Sequence, residues 1–251
     1  MTSLAGKSAL VTGAGKGGLG YAAAIALARA GADIIVVEHK AGMRRAETTL
    51  ADVLALGRKC VALEADVSDE NQVTSAFEGL HVDVVVNAAG VMLRKPTVET
   101  SVAEWRHVLE VNVTGTWLVA RELAPQMLER GEGRIINVAS QYAALAGPLP
   151  EPAYYASKGA VANLTRGLAS EWSRGGVTVN CIAPGVFYPT QMTEPLGADP
   201  DVLARMMNRT MAGRLGDPDR DLDGLVTFLA GPDSAYVTGA IMYADGGWSA
   251  W

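Results

Sequence analysis

Short runs of β-branched and apolar residues alternate along this chain with longer segments of helical period. The runs cover residues 8–12, 33–38, 60–65, 82–87, 134–139, 177–182 and 240–244. Their apolar positions are nearly continuous instead of alternating, which is typical of strands covered by helices on both faces. The sequence therefore predicts a parallel sheet between two layers of helices.

The segments between these strands carry helical spacing and helix formers. They cover roughly residues 18–30, 43–57, 69–79, 101–130, 153–174 and 218–230. Because parallel strands joined by helices need right-handed crossovers, we expect an α/β fold, a Rossmann-type doubly wound sheet of about seven strands. No linker-like or repeated stretch divides the 251 residues, so one domain spanning residues 1–251 is predicted.

One segment, from about residue 185 to residue 215, interrupts the alternation of strands and helices. Counted from Pro184, it holds four prolines and four methionines, more than a tight connection requires. A mobile lid over a binding site and a packed pair of surface helices are both consistent with this composition.

Composition and charge exclude several classes of function. The net charge of −6 argues against a nucleic-acid partner or an anionic membrane. No signal-peptide core and no run of eighteen apolar residues is present, so we expect a cytoplasmic protein. Cys60 and Cys181 lie in apolar runs, which favours reduced thiols. His39, His81 and His107 are scattered, so no metal site is predicted.

A glycine-rich turn, GAGKGGLG at residues 13–20, connects the first predicted strand to a helix. Such glycines let backbone N–H groups approach a pyrophosphate at the positive end of the helix dipole. An acid, Glu38, ends the second strand, where a dinucleotide ribose is commonly bound. A plain flexible loop would explain the glycines but not the acid. The pattern predicts a dinucleotide site that includes Gly13, Gly15, Gly18, Leu19, Gly20 and Glu38.

A tyrosine and a lysine stand four residues apart on a predicted helix, and Ser140 precedes them in the sequence. Positions i and i+4 share one helix face, so the ammonium of Lys158 can approach the phenol of Tyr154. A nearby cation favours the phenolate, so we expect a pKa of Tyr154 below its usual value of about 10. Spacing alone leaves open a solvated helix face, and leaves Tyr155 as a rival for the acid.

The order of these motifs resembles that of the short-chain dehydrogenases/reductases over essentially the whole chain. The shared positions are the glycine loop, Asp66-Val67, the NAAG run at residues 87–90, Asn112, Ser140, Tyr154, Lys158, Pro184-Gly185 and the closing YVTGAIMYADGG. More loosely, NVAS and ASKGAVANLTRGLASEW are similar to the gluconate 5-dehydrogenase-like branch. The resemblance implies an NAD(P)-dependent oxidoreductase that interconverts a secondary alcohol and a ketone.

The resemblance also implies roles for four residues. Tyr154 is the general acid or base toward the substrate oxygen, and Lys158 lowers its pKa and holds the nicotinamide ribose. Ser140 hydrogen-bonds the reacting group, and Asn112 keeps a water in a proton relay. The alternatives are that Asn112 caps or kinks a helix and that Ser140 is an ordinary loop hydroxyl.

Further cofactor and substrate contacts follow from the same resemblance. The cofactor set adds Asp66, Val67, Asn87, Ala88, Gly90, Pro184, Gly185, Val186 and Thr190. The expected substrate pocket comprises Ser140, Gln141, Tyr142, Leu145, Tyr155, Val186, Phe187, Met192 and Met206, a mostly apolar set that favours a neutral carbonyl compound. Two departures from the family pattern are an extra residue in the glycine loop, so that Gly17 or Gly18 takes the family position, and a threonine that arrives one residue late, at Thr190.

The identity of the cofactor depends on the charges around Glu38. A carboxylate there accepts the ribose hydroxyls of NAD and repels the 2′-phosphate of NADP, so we expect NAD, with NADP as the alternative. The opposing cations are Lys16, Lys40, Arg44 and Arg45, together with His39. Glu38 paired with Lys16 or Lys40 would leave a permissive site.

Three other classes of protein are weighed against this hypothesis. A non-catalytic nucleotide-sensing or interaction protein would share the fold but would need none of the proton chemistry. Enoyl reductases typically space the tyrosine and lysine more widely, and sugar-nucleotide epimerases usually have a longer C-terminal domain. Because the family is usually tetrameric, we expect a homotetramer with Trp248 or Trp251 at a subunit contact.

Overall fold

The computed structural model describes residues 3–251 and is built around one parallel sheet of seven strands. The strands are β1 (Ser8–Thr12), β2 (Asp33–Glu38), β3 (Cys60–Glu64), β4 (Val84–Asn87), β5 (Gly133–Val138), β6 (Val177–Pro184) and β7 (Ile241–Ala244). Their order across the sheet is β3-β2-β1-β4-β5-β6-β7, and every neighbouring pair is parallel. The predicted doubly wound α/β fold is confirmed, and every predicted strand overlaps an observed one.

Helices cover both faces of this sheet. They are α1 (Leu19–Arg29), α2 (Met43–Ala55), α3 (Glu70–Phe77), α4 (Val102–Leu109), α5 (Gly115–Arg130), α6 (Pro152–Trp172), α7 (Pro200–Arg209) and α8 (Asp223–Ala230). Residues of α1, α2 and α8 share one hydrophobic core, and residues of α3, α5 and α6 share the other. In β1, Ala9 and Val11 enter the first core while Leu10 enters the second. This two-sided burial explains the continuous apolar runs of the strands.

The predicted helix over 101–130 is helical throughout, but a π-helical turn divides it. α4 begins at a capping box in which the Ser101 hydroxyl accepts from the Glu104 N–H, and the Glu104 carboxylate accepts from the Ser101 N–H. The π turn, Glu110–Thr114, contains Asn112. π turns inside helices often mark functional sites, because they shift the side chains that follow.

The segment from 185 to 215 lies against the carboxyl edge of the sheet. It contains a short 3₁₀ turn, Glu194–Ala198, and one helix, α7, and not the pair of helices that was one of the two alternatives consistent with its composition. The Gln191 N–H donates to the Gly17 carbonyl at 2.7 Å, and the Ala212 N–H donates to the Gly246 carbonyl at 3.0 Å. The segment is therefore held at both ends against loops at the edge where β1 and β7 finish.

Neither cysteine forms a disulfide, and burial raises the pKa of Cys60 and of Cys181 to about 11. Within residues 3–251, no helix is long and apolar enough to cross a membrane. Over that same range, no group of three or more His, Cys, Asp or Glu side chains is arranged to hold a metal ion. Met1 and Thr2, which the domain prediction included, lie outside the described residues.

Candidate active site

The glycine loop after β1 crosses very close to the loop after β4. Gly13 has φ +62°, and a Cβ there would lie 2.6 Å from the Ala89 Cα. The Thr12 hydroxyl accepts from the N–H groups of Ala88, at 3.2 Å, and Ala89, at 3.1 Å. Only glycine fits at position 13, because any side chain would collide with the neighbouring backbone.

Gly17 and Gly18, the two candidates for the family's glycine position, have different surroundings. Gly17 has φ +93°, and its carbonyl accepts from the Gln191 N–H. Gly18 has extended backbone angles at the N-terminus of α1 and lines the cleft, as does Leu19. The backbone of Gly18 is therefore the one that faces the cleft, while Gly17 contacts the 185–215 segment.

Glu38 is buried at the end of β2, where both of its carboxylate oxygens are hydrogen-bonded. Oε2 accepts from the Gly15 N–H at 3.0 Å, and Oε1 lies 2.7 Å from Nδ1 of His39. Lys16 instead pairs with Asp52 at 2.9 Å. Arg45 also lines this end of the cleft, and its buried Nε has no hydrogen-bond partner among the residues that the structure describes.

A single cleft of about 810 Å³ extends from the glycine loop to the middle of α6. The predicted residues that line it are Gly13, Gly18, Leu19, Glu38, Asp66, Val67, Ala88, Gly90, Ser140, Gln141, Tyr142, Tyr154, Lys158, Pro184, Gly185, Val186, Phe187, Thr190, Met192 and Met206. The predicted residues that are not part of this lining are Gly15, Gly20, Asn87, Asn112, Leu145 and Tyr155. Residues that follow six of the strands, β1 to β6, thus converge on one site, as expected at the carboxyl edge of a doubly wound sheet.

Tyr154 and Lys158 project from α6 toward Ser140, which follows β5, and all three are buried. Nζ of Lys158 lies 5.6 Å from the centre of the Tyr154 ring and donates to the Val138 carbonyl at 2.8 Å. Burial lowers the pKa of Lys158 to about 8. The helical spacing therefore does bring the two side chains onto one face of the cleft.

The expected lowering of the Tyr154 pKa is wrong for this structure. Burial of the phenol raises its pKa above the usual value, and the hydrogen bond with Ser140 offsets only part of that rise. The physical reason is that desolvation penalises the phenolate, while the Lys158 ammonium lies 5.6 Å from the centre of the ring and donates to the Val138 carbonyl. Near neutral pH, Tyr154 is accordingly a protonated phenol.

Tyr155 is not equivalent to Tyr154. Its hydroxyl donates to the Leu149 carbonyl at 2.7 Å, and its ring lies 4.9 Å from the ring of Tyr142. Burial raises the pKa of Tyr155 to about 12. Of the two neighbouring tyrosines, Tyr154 lines the cleft and Tyr155 supports Tyr142 from behind.

Asn112 connects three elements below the cleft. Its Oδ1 accepts from the Val91 N–H at 2.8 Å, and its Nδ2 donates to the Val91 carbonyl and to the Ser157 hydroxyl, both at 2.9 Å. A Cβ at Gly90 would lie 3.3 Å from that Oδ1 and 3.5 Å from Nζ of Lys158. Asn112 therefore fixes the loop after β4 directly beside Lys158.

Sequence reasoning missed two charged residues of the cleft, Arg94 and Glu151. Nε of Arg94 donates to Oε1 of Glu151 at 2.6 Å, and Nη2 of Arg94 donates to the Met192 carbonyl at 3.3 Å. Both side chains line the cleft, so the pocket is less apolar than predicted. The available signal was position: Arg94 follows β4 and Glu151 immediately precedes α6, so both lie near the carboxyl edge of the sheet.

The residues of the cleft fit a dinucleotide. The glycine backbone leaves no room for side chains where the loops after β1 and β4 meet. At one end lies the buried Nε of Arg45, which has no hydrogen-bond partner within residues 3–251, and at the other lies the ammonium of Lys158, near Gly90. Such a cradle of backbone N–H groups and cations suits a pyrophosphate-linked pair of nucleosides.

A doubly wound sheet with this cradle and a buried tyrosine–lysine pair defines the class of dinucleotide-dependent oxidoreductases. A family model described as enoyl-(acyl carrier protein) reductase matches residues 13–249. That description is the name of the family model, and the relatives of this chain are named for several different activities. The chain belongs to the short-chain dehydrogenase/reductase family, which confirms the resemblance drawn from its motifs.

Three relatives illustrate this likeness. The chain is 39% identical over 250 residues to 2-dehydro-3-deoxy-D-gluconate 5-dehydrogenase of Bacillus subtilis, covering 98% of this chain and 96% of that protein. It is 37% identical to galactitol 2-dehydrogenase (L-tagatose-forming) of Cereibacter sphaeroides, covering 99% and 97%. A gluconate 5-dehydrogenase from Burkholderia cenocepacia, solved with NADP and tartrate, is 35% identical and superposes with a TM-score of 0.92, covering 99% and 97%.

These comparisons establish the reaction class of the chain. It is an NAD(P)-dependent oxidoreductase that interconverts an alcohol and a ketone. The likeness to the gluconate 5-dehydrogenase branch is confirmed as well. The non-catalytic alternative receives no support from these relatives.

Proposed function

We propose that Tyr154, Ser140 and Lys158 perform the proton chemistry of this oxidoreductase on a polyhydroxylated carbon chain. The observation that carries the proposal is that the three side chains are buried together in the same cleft as the glycine loop and Glu38. Relatives named for gluconate derivatives and for galactitol support the substrate class. The decisive test is consumption of NADH or NADPH with a panel of ketoses and keto acids.

A bound NAD(P) supplies the hydride acceptor or donor for this reaction. Gly13, Gly18 and Leu19 would hold its pyrophosphate, and Glu38 would hold the adenosine ribose. The further contacts proposed are with Asp66, Val67, Ala88, Gly90, Pro184, Gly185, Val186 and Thr190, which share the same cleft lining. Lys158 would hold the nicotinamide ribose, because its ammonium borders Gly90.

Because its pKa is raised, Tyr154 is ready to act as an acid in ketone reduction but must first lose its proton for alcohol oxidation. As a protonated phenol, Tyr154 donates a proton to the substrate oxygen during ketone reduction, and Ser140 donates a hydrogen bond to that oxygen. In alcohol oxidation the phenolate must form, and the Lys158 cation stabilises it. Desolvation of the phenolate by burial makes this cation necessary.

Asn112 would serve the proton relay through its backbone carbonyl. Its side chain is already used by Val91 and Ser157, and its carbonyl accepts from the Thr116 hydroxyl at 2.8 Å. A carbonyl oxygen has two lone pairs and can accept from more than one donor, which would allow it to hold a relay water. The π turn supports this proposal, because it frees backbone groups from the regular helical pattern.

The 185–215 segment is proposed to act as a lid. Met192 and Met206 from this segment line the cleft, and the Gln191–Gly17 hydrogen bond connects it to the glycine loop. Opening of the part around Met192 would break this bond and the hydrogen bond from Arg94 to the Met192 carbonyl, while the bond from Ala212 to Gly246 holds the far end of the segment. Loops of this kind commonly exclude water during hydride transfer.

The cofactor is proposed to be NAD(H) in preference to NADP(H). Glu38 keeps its carboxylate at the cleft, hydrogen-bonded to Gly15 and His39, and Lys16 is occupied by Asp52. A 2′-phosphate at about 4 Å would meet a repulsion of roughly 4 kcal/mol at an effective dielectric near 20, less after screening. Arg45 and the NADP bound to the Burkholderia relative are the opposing observations.

Replacing Glu38 with Ser is therefore expected to shift the ratio of kcat/KM for NADH over NADPH toward NADPH by at least about tenfold. The variant loses a negative charge and leaves Arg45 to face the phosphate. Glu64→Ser is the matched control, because Glu64 is the register partner of Glu38 on β3 and does not line the cleft. A native preference for NADPH, or an unshifted ratio in Glu38→Ser, contradicts the proposal.

The chain is also proposed to form a homotetramer. Trp248 is buried in its own subunit, so it needs no partner, whereas Trp251 is 67% exposed and donates to the Arg209 carbonyl through Nε1. Light scattering is expected to give about four times the chain mass of 26.2 kDa. Trp251→Ala is expected to weaken the assembly, and a monomeric native protein would refute it.

A further inference from the structure

The substrate end of the cleft contains an ion pair that is neutral as a unit. Nε of Arg94 lies 2.6 Å from Oε1 of Glu151, and the Glu151 side chain is only 2% exposed. The remaining guanidinium group is held by the Met192 carbonyl. The pair thus joins the loop after β4 to the residue that precedes α6, directly beside the backbone of Met192.

An unpaired amide lies in the same part of the cleft. Gln141 is 1% exposed, and within residues 3–251 no polar atom meets its Nε2 or Oε1 at full hydrogen-bond geometry, although its amide interacts weakly with the Tyr142 hydroxyl and so lowers the pKa of that phenol against the effect of burial. A buried amide without hydrogen-bond partners destabilises the fold, and an amide that lines a cleft can gain its missing hydrogen bonds from a ligand. Its donor and its acceptor together match the hydroxyl group, which is also both.

The charges decide which polyhydroxylated substrates fit. A carboxylate that enters this cleft loses water and meets Arg94 already neutralised by Glu151, so its desolvation is poorly offset. A hydroxymethyl group in the same place loses far less hydration and can bond to the amide of Gln141. The pair therefore discriminates against acids.

We propose that the Arg94–Glu151 pair and Gln141 select an uncharged polyol or ketose over the corresponding sugar acid. This inference rests on the proposed function, since it names the substrate class of the same site. It assigns Glu151 as the specificity-determining residue, because removal of its charge alone would turn Arg94 into a free cation for a carboxylate.

The experiment compares substrates that differ only in charge at one end. D-glucitol is paired with D-gluconate, and galactitol with D-galactonate, and kcat/KM is measured for each with NAD and NADP. The native enzyme is expected to favour the polyol of each pair by at least about tenfold, and Glu151→Gln is expected to move that ratio toward the acid by at least about tenfold.

Two further variants make the result specific to charge. Arg94→Gln combined with Glu151→Gln restores a neutral site, so its ratio is expected to return toward the native value. Glu104→Gln is the matched control, because Glu104 also pairs with a cation, Lys95, but lies outside the cleft lining. It retains the capping-box pattern and is expected to leave the ratio unchanged.

The outcomes distinguish the two proposals. A native preference for the acids, or a ratio that Glu151→Gln does not move, overturns the charge selection while the oxidoreductase proposal stands. If none of the four compounds is oxidised with either cofactor, the polyhydroxylated substrate class fails. Calorimetric binding of the same four compounds to the native protein and to Glu151→Gln then decides the charge selection without turnover.

Discussion

Replacing Tyr154 with Phe is expected to lower turnover by at least about a hundredfold in both directions of the reaction. The ring is buried on α6 and fills the same volume in the variant, so its packing should survive. What disappears is the phenolic proton and the partner of the Ser140 hydroxyl. The measurement is kcat, together with cofactor affinity by calorimetry, which is expected to change little.

The neighbouring tyrosine provides the matched control. Tyr155→Phe loses the hydrogen bond to the Leu149 carbonyl, which costs about 1 kcal/mol of stability. Its turnover is expected to stay within a few fold of native, because its hydroxyl does not line the cleft. Near-normal turnover in Tyr154→Phe together with loss in Tyr155→Phe would show that the acid is assigned to the wrong tyrosine.

The fold could be predicted from the sequence because each strand carries its own signal in its run of apolar residues. Each strand is buried on two faces, so its apolar run is continuous, and β1 and β2 have the predicted bounds. The helix over 101–130 was predicted as one element because the π turn at Asn112 keeps the helical spacing of its neighbours. The side chain of Asn112 in that turn bonds to Val91 and Ser157, which are distant in sequence, so its partners could not be read from local spacing.

The parts of the site that a sequence motif defines could be predicted from the sequence. The parts that depend on burial in the folded chain could not. The tyrosine–lysine spacing located the acid, but the pKa of Tyr154 depends on how completely the cleft encloses it. The Arg94–Glu151 pair joins a loop after β4 to the start of α6, and no spacing in the sequence connects the two. Whether Trp248 is buried likewise depends on packing within its own chain, which the sequence does not show.

Opposite pKa shifts at Tyr154 and Lys158 have one cause. Burial favours the neutral form of each group, so it raises the pKa of the phenol and lowers that of the ammonium. Near pH 7 the cleft thus holds a protonated acid beside a cation whose proton is retained only below about pH 8. Ketone reduction can use this state directly, whereas alcohol oxidation requires the phenolate.

Replacing Lys158 with Met is accordingly expected to reduce turnover by at least about a hundredfold and to stabilise the fold near pH 7. A buried lysine with a pKa lowered from 10.5 to about 8 costs about 3 kcal/mol when charged. The variant also leaves the Val138 carbonyl without its hydrogen-bond donor, which destabilises the folded state by about 1 to 2 kcal/mol. The net gain of about 1 to 2 kcal/mol corresponds to a rise in Tm of several degrees.

The pH dependence gives this prediction its sign. Since the folded pKa of Lys158 is the lower one, the unfolded state binds more protons between pH 8 and pH 10.5, and native stability rises with pH in that window. The stability gap between Lys158→Met and the native protein is therefore expected to narrow from pH 7 to pH 10. Scanning calorimetry of both proteins measures it, with Lys59→Met, at an exposed lysine, as the control. A variant less stable than native at pH 7, with a gap that pH does not alter, would mean that the ammonium of Lys158 is not desolvated in the cleft.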